Sequence, residues 1–240
     1  MYTLKGRTAA LTAAPYDVVE AFLAGGMNVA IITHGIDRVK AYIETLPEEW
    51  QERCIAMKND GGDAAALVRV AEHFGSLDVV IPNQGGGLRY ETLDEVTDEE
   101  FERKLKNIIL GDWRMIKAAL PYLEKSSAGR IILMTSAGCR NAGDNESICD
   151  CAARGGVISM AYRLARDLAE KGITVNCIAK GAIDEKGVGE AYAESVMPYV
   201  PMKRTGTQAD VASAAAWLAS EEAGFVTGQV INVCGGMYMG

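Results

Sequence analysis

The side chains best suited to chemistry cluster in the middle of the chain. Ser136 follows the apolar run Arg130-Ile131-Ile132-Leu133-Met134, in Thr135-Ser136-Ala137-Gly138, and serines are common at strand ends. Asp150 and Arg154 lie four residues apart in a helical segment, a spacing that sets a carboxylate beside a guanidinium on one face. That spacing predicts an Asp150–Arg154 helix salt bridge. The other reading makes Asp150 a general base, which requires burial to raise its pKa. Arg154 cannot exchange a proton at working pH, as a lysine can. Near the amino end, Asp17 follows the first apolar run and reads as a helix N-cap.

Metal chemistry finds little support. Among the six cysteines only Cys149 and Cys151 lie close together, and His34 and His73 are remote from them in sequence. No zinc spacing is present, so buried reduced thiols are expected and no metal site. A metal or redox role for the Cys149/Cys151 pair is the alternative.

The elements that must position these residues alternate in type. Apolar runs at 8–12, 28–33, 54–57, 77–81, 130–134, 174–178 and 229–233 read as strands buried on both faces. Helical patterns fall between them, near 18–23, 36–46, 63–74, 98–124, 150–171 and 209–219, with a polar segment at 182–205. This βα alternation predicts an α/β fold: a Rossmann-like, doubly wound parallel sheet of about seven strands with helices on both faces. Ligands would bind beyond the strands' carboxyl ends. No repeat or linker divides the chain, so residues 1–240 read as one domain.

Composition narrows the function class. A formal net charge of -8 disfavours nucleic acid or an anionic membrane as partner, since both call for a basic patch. No apolar run reaches membrane-spanning length, and the first residues lack the apolar core of a secretory signal. A cytoplasmic location is expected.

Longer motifs carry a resemblance. Gly172-Ile173-Thr174-Val175-Asn176-Cys177-Ile178-Ala179-Lys180-Gly181, Arg204-Thr205-Gly206-Thr207-Gln208-Ala209-Asp210-Val211-Ala212 and Thr227-Gly228-Gln229-Val230-Ile231-Asn232-Val233-Cys234-Gly235-Gly236 occur in family order. With these the whole chain resembles the short-chain dehydrogenase/reductase family. The resemblance implies an NAD(P) site whose first turn reads Thr-Gly-x-x-x-Gly-x-Gly. Here the matching residues are Thr12-Ala13-Ala14-Pro15-Tyr16-Asp17-Val18-Val19, with no glycine. Ala13, Asp17 and Val19 therefore replace the residues that let the backbone approach a pyrophosphate. Asp17 about 5 Å from a phosphate charge would be repelled by roughly 3 kcal/mol at an effective dielectric near 20. Tyr16 is placed to fill some of the emptied space.

Other family positions are altered too. Asp60 matches the adenine-side aspartate, Gln84 replaces the alanine beside the ribose, and Glu185 replaces the threonine near the nicotinamide. The resemblance implies an Asn, Ser, Tyr, Lys active site. Ser136 keeps the serine, Asp150 stands for the tyrosine and Arg154 for the lysine. Ile108 stands for the asparagine, with Asn107 one position off.

The expectation is a non-catalytic subunit of a heteromeric dehydrogenase acting on a hydroxyacyl-CoA or similar secondary alcohol. It would hold no cofactor, with NAD(P) in a homologous active subunit of a heterotetramer. A homo-oligomer is the other assembly considered. The family associates through segments matching 98–124, 150–171 and 209–233, and the apolar tail Met237-Tyr238-Met239 would reach across such an interface. Two alternatives stay open: a non-redox enzyme resembling halohydrin dehalogenases, using Ser136 and Arg154, and an active NAD(P)-dependent reductase.

Overall fold

The computed structural model describes residues 2–13, 15–59, 62–83, 85, 93–141, 147–184 and 190–240. Strands β1 (Thr8–Thr12), β2 (Asn28–Thr33), β3 (Cys54–Lys58), β4 (Val79–Ile81), β5 (Arg130–Ser136), β6 (Thr174–Lys180) and β7 (Val230–Val233) form one parallel sheet in the order β3-β2-β1-β4-β5-β6-β7. Helices are α1 (Tyr16–Ala24), α2 (Ile36–Ile43), α3 (Glu48–Gln51), α4 (Gly62–Phe74), α5 (Asp98–Leu105), α6 (Gly111–Leu123), α7 (Gly138–Asn141), α8 (Ile148–Leu168), α9 (Glu190–Val196) and α10 (Gln208–Ala219).

Successive strand residues face opposite sides, so each apolar run feeds two cores. Ala9, Leu11, Val29 and Ile31 pack with Val18, Val19, Phe22 and Leu23 of α1 and with the small side chains of α10. Ala10, Ala30, Ile32 and Val80 pack instead with Leu67 of α4, Met115 and Ile116 of α6, and Val157 and Ala161 of α8. Strand order reverses between β1 and β4, which opens a crevice at their carboxyl ends.

The amino edge of the sheet is closed by two buried arginines. The Arg7 guanidinium donates to the carbonyls of Ala219 and Ala128, and Arg130 donates to Ser220 O at 3.1 Å and Gly129 O at 3.0 Å. These carbonyls include the end of α10, whose last C=O groups have no partner within the helix. Burial holds the Arg130 pKa down at about 10, with the Arg7 charge adding to the effect.

Several elements differ from the sequence reading. The segment 98–124 is not one α-helix, because Lys106–Leu110 is a π-helical turn between α5 and α6. A π turn takes an extra residue, and a pattern counted at 3.6 residues per turn runs through it unnoticed. Short α3 and α7 were not anticipated, and the polar segment 182–205 contains α9 and a 3-10 turn at Met197–Tyr199. Strands β5 and β6 run two residues further than expected, to Ser136 and Lys180. The tail also behaves differently. Met237 and Tyr238 pack on Ala137, Ala179 and Cys234 of their own chain, while Met239 is 80% exposed.

Replacing Arg130 with Met should lower stability by about 2–3 kcal/mol, because buried carbonyls lose a charged donor. Urea unfolding midpoints at unchanged slope would measure this.

Candidate active site

The first turn keeps the backbone course of a glycine without being one. Ala13 has φ 45°, in the left-handed region, at a cost of about 1–2 kcal/mol for a residue with a side chain. Two hydrogen bonds from Asn83 hold the turn: its backbone N–H donates to Thr12 Oγ1 at 3.0 Å, and its side-chain amide donates to Ala13 O at 2.8 Å. The sheet thus fixes a conformation that the local residue disfavours.

Asp17 is not the N-cap of α1. Pro15 occupies that position and makes no side-chain cap bond, leaving Asp17 in the first turn. Proline's fixed φ suits helix entry, so the helix starts two residues earlier than an Asp17 cap would set it. The Asp17 charge still lies favourably at the positive end of the helix dipole. Val19 is fully buried in the core beneath the turn.

Tyr16 stacks flat on Tyr42 of α2, with ring centroids 3.6 Å apart and planes within 4°. The Tyr42 hydroxyl reaches Glu20 at 3.2 Å and the Tyr16 carbonyl at 3.4 Å. Burial, then the Glu20 charge, pushes the Tyr42 pKa above its ordinary value. Tyr16 is therefore committed to α2. Asp60, Gln84 and Glu185 lie outside the described residues.

Asp150, expected at the position of the family's tyrosine, is half of a buried ion pair. Asp150 Oδ2 lies 2.8 Å from Lys104 Nζ on α5, with side chains 8% and 4% exposed. The expected Asp150–Arg154 bridge does not form. Lys104 reaches Asp150 because α5 packs across the start of α8, which brings together residues 46 positions apart. Asp150 also lies in the first turn of α8, where Ser147 Oγ accepts from the backbone N–H groups of Cys149 and Asp150. A helix N-terminus and a lysine together offset the loss of water around the carboxylate.

Arg154 points elsewhere. Its guanidinium donates to Met134 O at 3.2 Å, and its own carbonyl accepts from Thr135 Oγ1 at 3.3 Å. Arg154 thereby fastens α8 to β5 just below Ser136. Ser136 ends β5, where its Oγ accepts from Gly138 N–H at 3.1 Å, and it pairs in register with Lys180 of β6. The structure therefore brings Ser136 and Arg154 to one strand end, with Asp150 held toward α5.

Ile108 lies within the π turn, 1% exposed, against Gly85. Gly85 has φ 91°, and a Cβ there would stand 2.4 Å from Ile108 Cγ1. An apolar side chain therefore fills the space beside Gly85. Asn107, the neighbour considered in its stead, is exposed. Lys104 escaped the sequence reading, yet it leaves a trace there. It falls three residues after Phe101 and four before Ile108, on the apolar face of the helix, where a lysine needs a partner.

Four of the six cysteines, Cys54, Cys149, Cys177 and Cys234, are buried as expected, while Cys139 and Cys151 are half-buried. Cys54 and Cys177 are held protonated by burial, which pushes both up to about 12. Cys149 is buried and Cys151 half-buried, and residues two apart on a helix do not face one another. Among the described residues no group of His, Cys, Asp and Glu is arranged to hold a metal. Nor is any described helix long and apolar enough to cross a membrane.

Comparison with known proteins gives a consistent picture. A family model described as enoyl-(acyl carrier protein) reductase matches residues 15–238. The 3-oxoacyl-[acyl-carrier-protein] reductase FabG of Staphylococcus aureus strain Mu50 is 31% identical over 223 residues, covering 89% of each protein. Among solved structures, a short-chain dehydrogenase/reductase (glucose/ribitol dehydrogenase) from Brucella melitensis superposes with TM-score 0.89 at 27% identity, covering 100% of this chain and 99% of the other. A structure titled dehalogenation enzyme superposes with TM-score 0.88, covering 98% and 100%. At 22% identity it attests the shared fold alone.

Two outcomes test this geometry. Lys104→Met should cost about 3–5 kcal/mol by stranding the Asp150 charge, while Lys104→Met with Asp150→Leu should recover most of that loss. Chemical denaturation of both variants measures the difference. Ala13→Gly should leave stability unchanged or raise it by up to about 1 kcal/mol, since left-handed strain is exchanged for chain entropy. A loss larger than this would mean that the methyl group makes stabilising contacts.

Proposed function

The chain belongs to the short-chain dehydrogenase/reductase family, and on that premise we propose that it is a non-catalytic subunit of a heteromeric dehydrogenase. The observation that carries this reading is the Lys104–Asp150 ion pair. Carbonyl–alcohol exchange by hydride transfer needs a group that donates and accepts the oxygen's proton. The carboxylate at that position is already neutralised by a lysine and withdrawn from solvent. Ser136 remains to orient an oxygen, and Arg154 keeps its proton and is tied to Met134 O.

The same reading leaves this chain without NAD(P). The methyl group of Ala13, the carboxylate of Asp17 in the first turn of α1 and Ile108 beside Gly85 all weigh against a dinucleotide. The cofactor then belongs to a homologous active subunit, in a heterotetramer that we place in the cytoplasm. Its substrate would be a hydroxyacyl-CoA or similar secondary alcohol, such as 2-(hydroxy(phenyl)methyl)succinyl-CoA. The 3-oxoacyl group in the relative's name is the oxidised counterpart of such an acyl alcohol.

One observation favours a second reading, a non-redox enzyme of the same fold. Arg154 is tied to Met134 O, two residues before Ser136 at the end of β5. Asp150 would then serve as base, which its pairing with Lys104 disfavours. Halide release from a small halohydrin, abolished by Ser136→Ala, would establish that activity and displace the first reading.

The main test has two arms. Fluorescence titration of the purified chain with NADH and NADPH should show no saturation, and millimolar or tighter binding would overturn the cofactor-free reading. Purification from native cells should recover a second family member with an intact glycine turn and Tyr-x-x-x-Lys. Recovery solely as a homo-oligomer would overturn the heteromeric assignment.

A further inference from the structure

We propose that segment 234–240 is a latch that ties together the two loops bordering the crevice, with the Arg140–Tyr238 contact as its releasable part. The loops follow β5 and β6, at the carboxyl edge where a ligand of an open parallel sheet would enter. Gly235 and Gly236 have φ 57° and 89°, left-handed values that reverse the chain after β7 and send it back across this edge. Side chains at either glycine would collide with the neighbouring loop, since a Cβ would stand 2.8 Å from Val200 Cγ1 or 3.1 Å from Pro201 Cγ.

The returning segment touches both walls. On the β5 side, the Arg140 guanidinium of α7 lies 4.3 Å from the centre of the Tyr238 ring and donates to Asn232 Oδ1 at 2.9 Å. Asn232 in turn donates to Gly240 O at 3.3 Å. On the β6 side, Met237 Sδ accepts from Ala182 N–H at 3.4 Å, and Met237 packs beside Val196 and Val200. Ala137 after β5 and Ala179 on β6 share one apolar cluster with Met237 and Tyr238. A single short segment therefore touches described residues of both loops.

The strength of these contacts makes the latch reversible. A cation over a half-buried ring and a hydrogen bond to sulfur are weak individually. The backbone bond from Gly181 N–H to Val233 O, at 2.9 Å, belongs to the sheet and stays when the segment lifts. Whatever competes for the Tyr238 ring would loosen both walls at once, without unfolding the sheet.

Amide hydrogen exchange on the full chain tests this. Tyr238→Ala and Arg140→Met should each raise exchange at Arg140 or its neighbours in α7 and at Ala182 roughly two- to fivefold. Tyr238→Phe keeps the ring and should leave both loops at the wild-type rate. Amides of β1 and β2 should stay unchanged in all three variants. Unchanged loops in Tyr238→Ala, or a rise confined to one loop, would overturn the coupling. A rise of equal size throughout the sheet would do so too, because it reports general loss of stability.

Discussion

An ion pair withdrawn from water is costly unless each charge has a fixed partner, and this constraint organises the centre of the molecule. Lys104 and Asp150 satisfy one another at 2.8 Å, and the amino end of α8 adds its dipole to the carboxylate. The pair holds only if α5 lies across α8 at one separation. That requirement fixes the start of the π turn immediately after α5, which carries Ile108 toward Gly85 and Ile109 toward Gly156. A Cβ on Gly156 would stand 2.6 Å from Ile109 Cδ1, so the small residue on α8 and the bulky one on the π turn are matched. The altered residues at this site form a mutually dependent set.

The first turn obeys a similar logic with different means. A left-handed residue after β1 lets the chain enter α1 at the crevice, and this chain keeps that conformation with alanine. The Asn83 side chain holds the Ala13 carbonyl and the sheet holds Thr12, so tertiary contacts sustain what local preference resists. Strain of this kind persists where the surroundings over-determine it.

Much of this was open to reading along the chain. Strands announce themselves as apolar runs, and all seven appear, although the edge strands β3 and β7 are only partly buried. The residues that the family resemblance singles out, Ala13, Asp150, Arg154 and Ile108, could be named from the sequence. Their partners could not. Asp150 and Arg154 have ideal spacing for an i,i+4 bridge, yet a lysine 46 residues away takes the carboxylate because it is buried and needs one. Asp17 looks like a cap, but Pro15 sets the start of α1 two residues too early for that role.

The parallel α/β framework is legible along the chain, as are the residues that a family resemblance singles out. Both are encoded locally, in hydrophobic period and residue identity, and need no knowledge of what lies across the fold. Only the tertiary structure decided how those residues are used: Lys104 on Asp150, Arg154 on the Met134 carbonyl, Tyr16 on Tyr42, and segment 234–240 folded onto its own chain. Each of these is a competition among several possible partners. Burial settles it, since a charge or ring removed from water takes the partner that packing delivers rather than the one nearest in sequence.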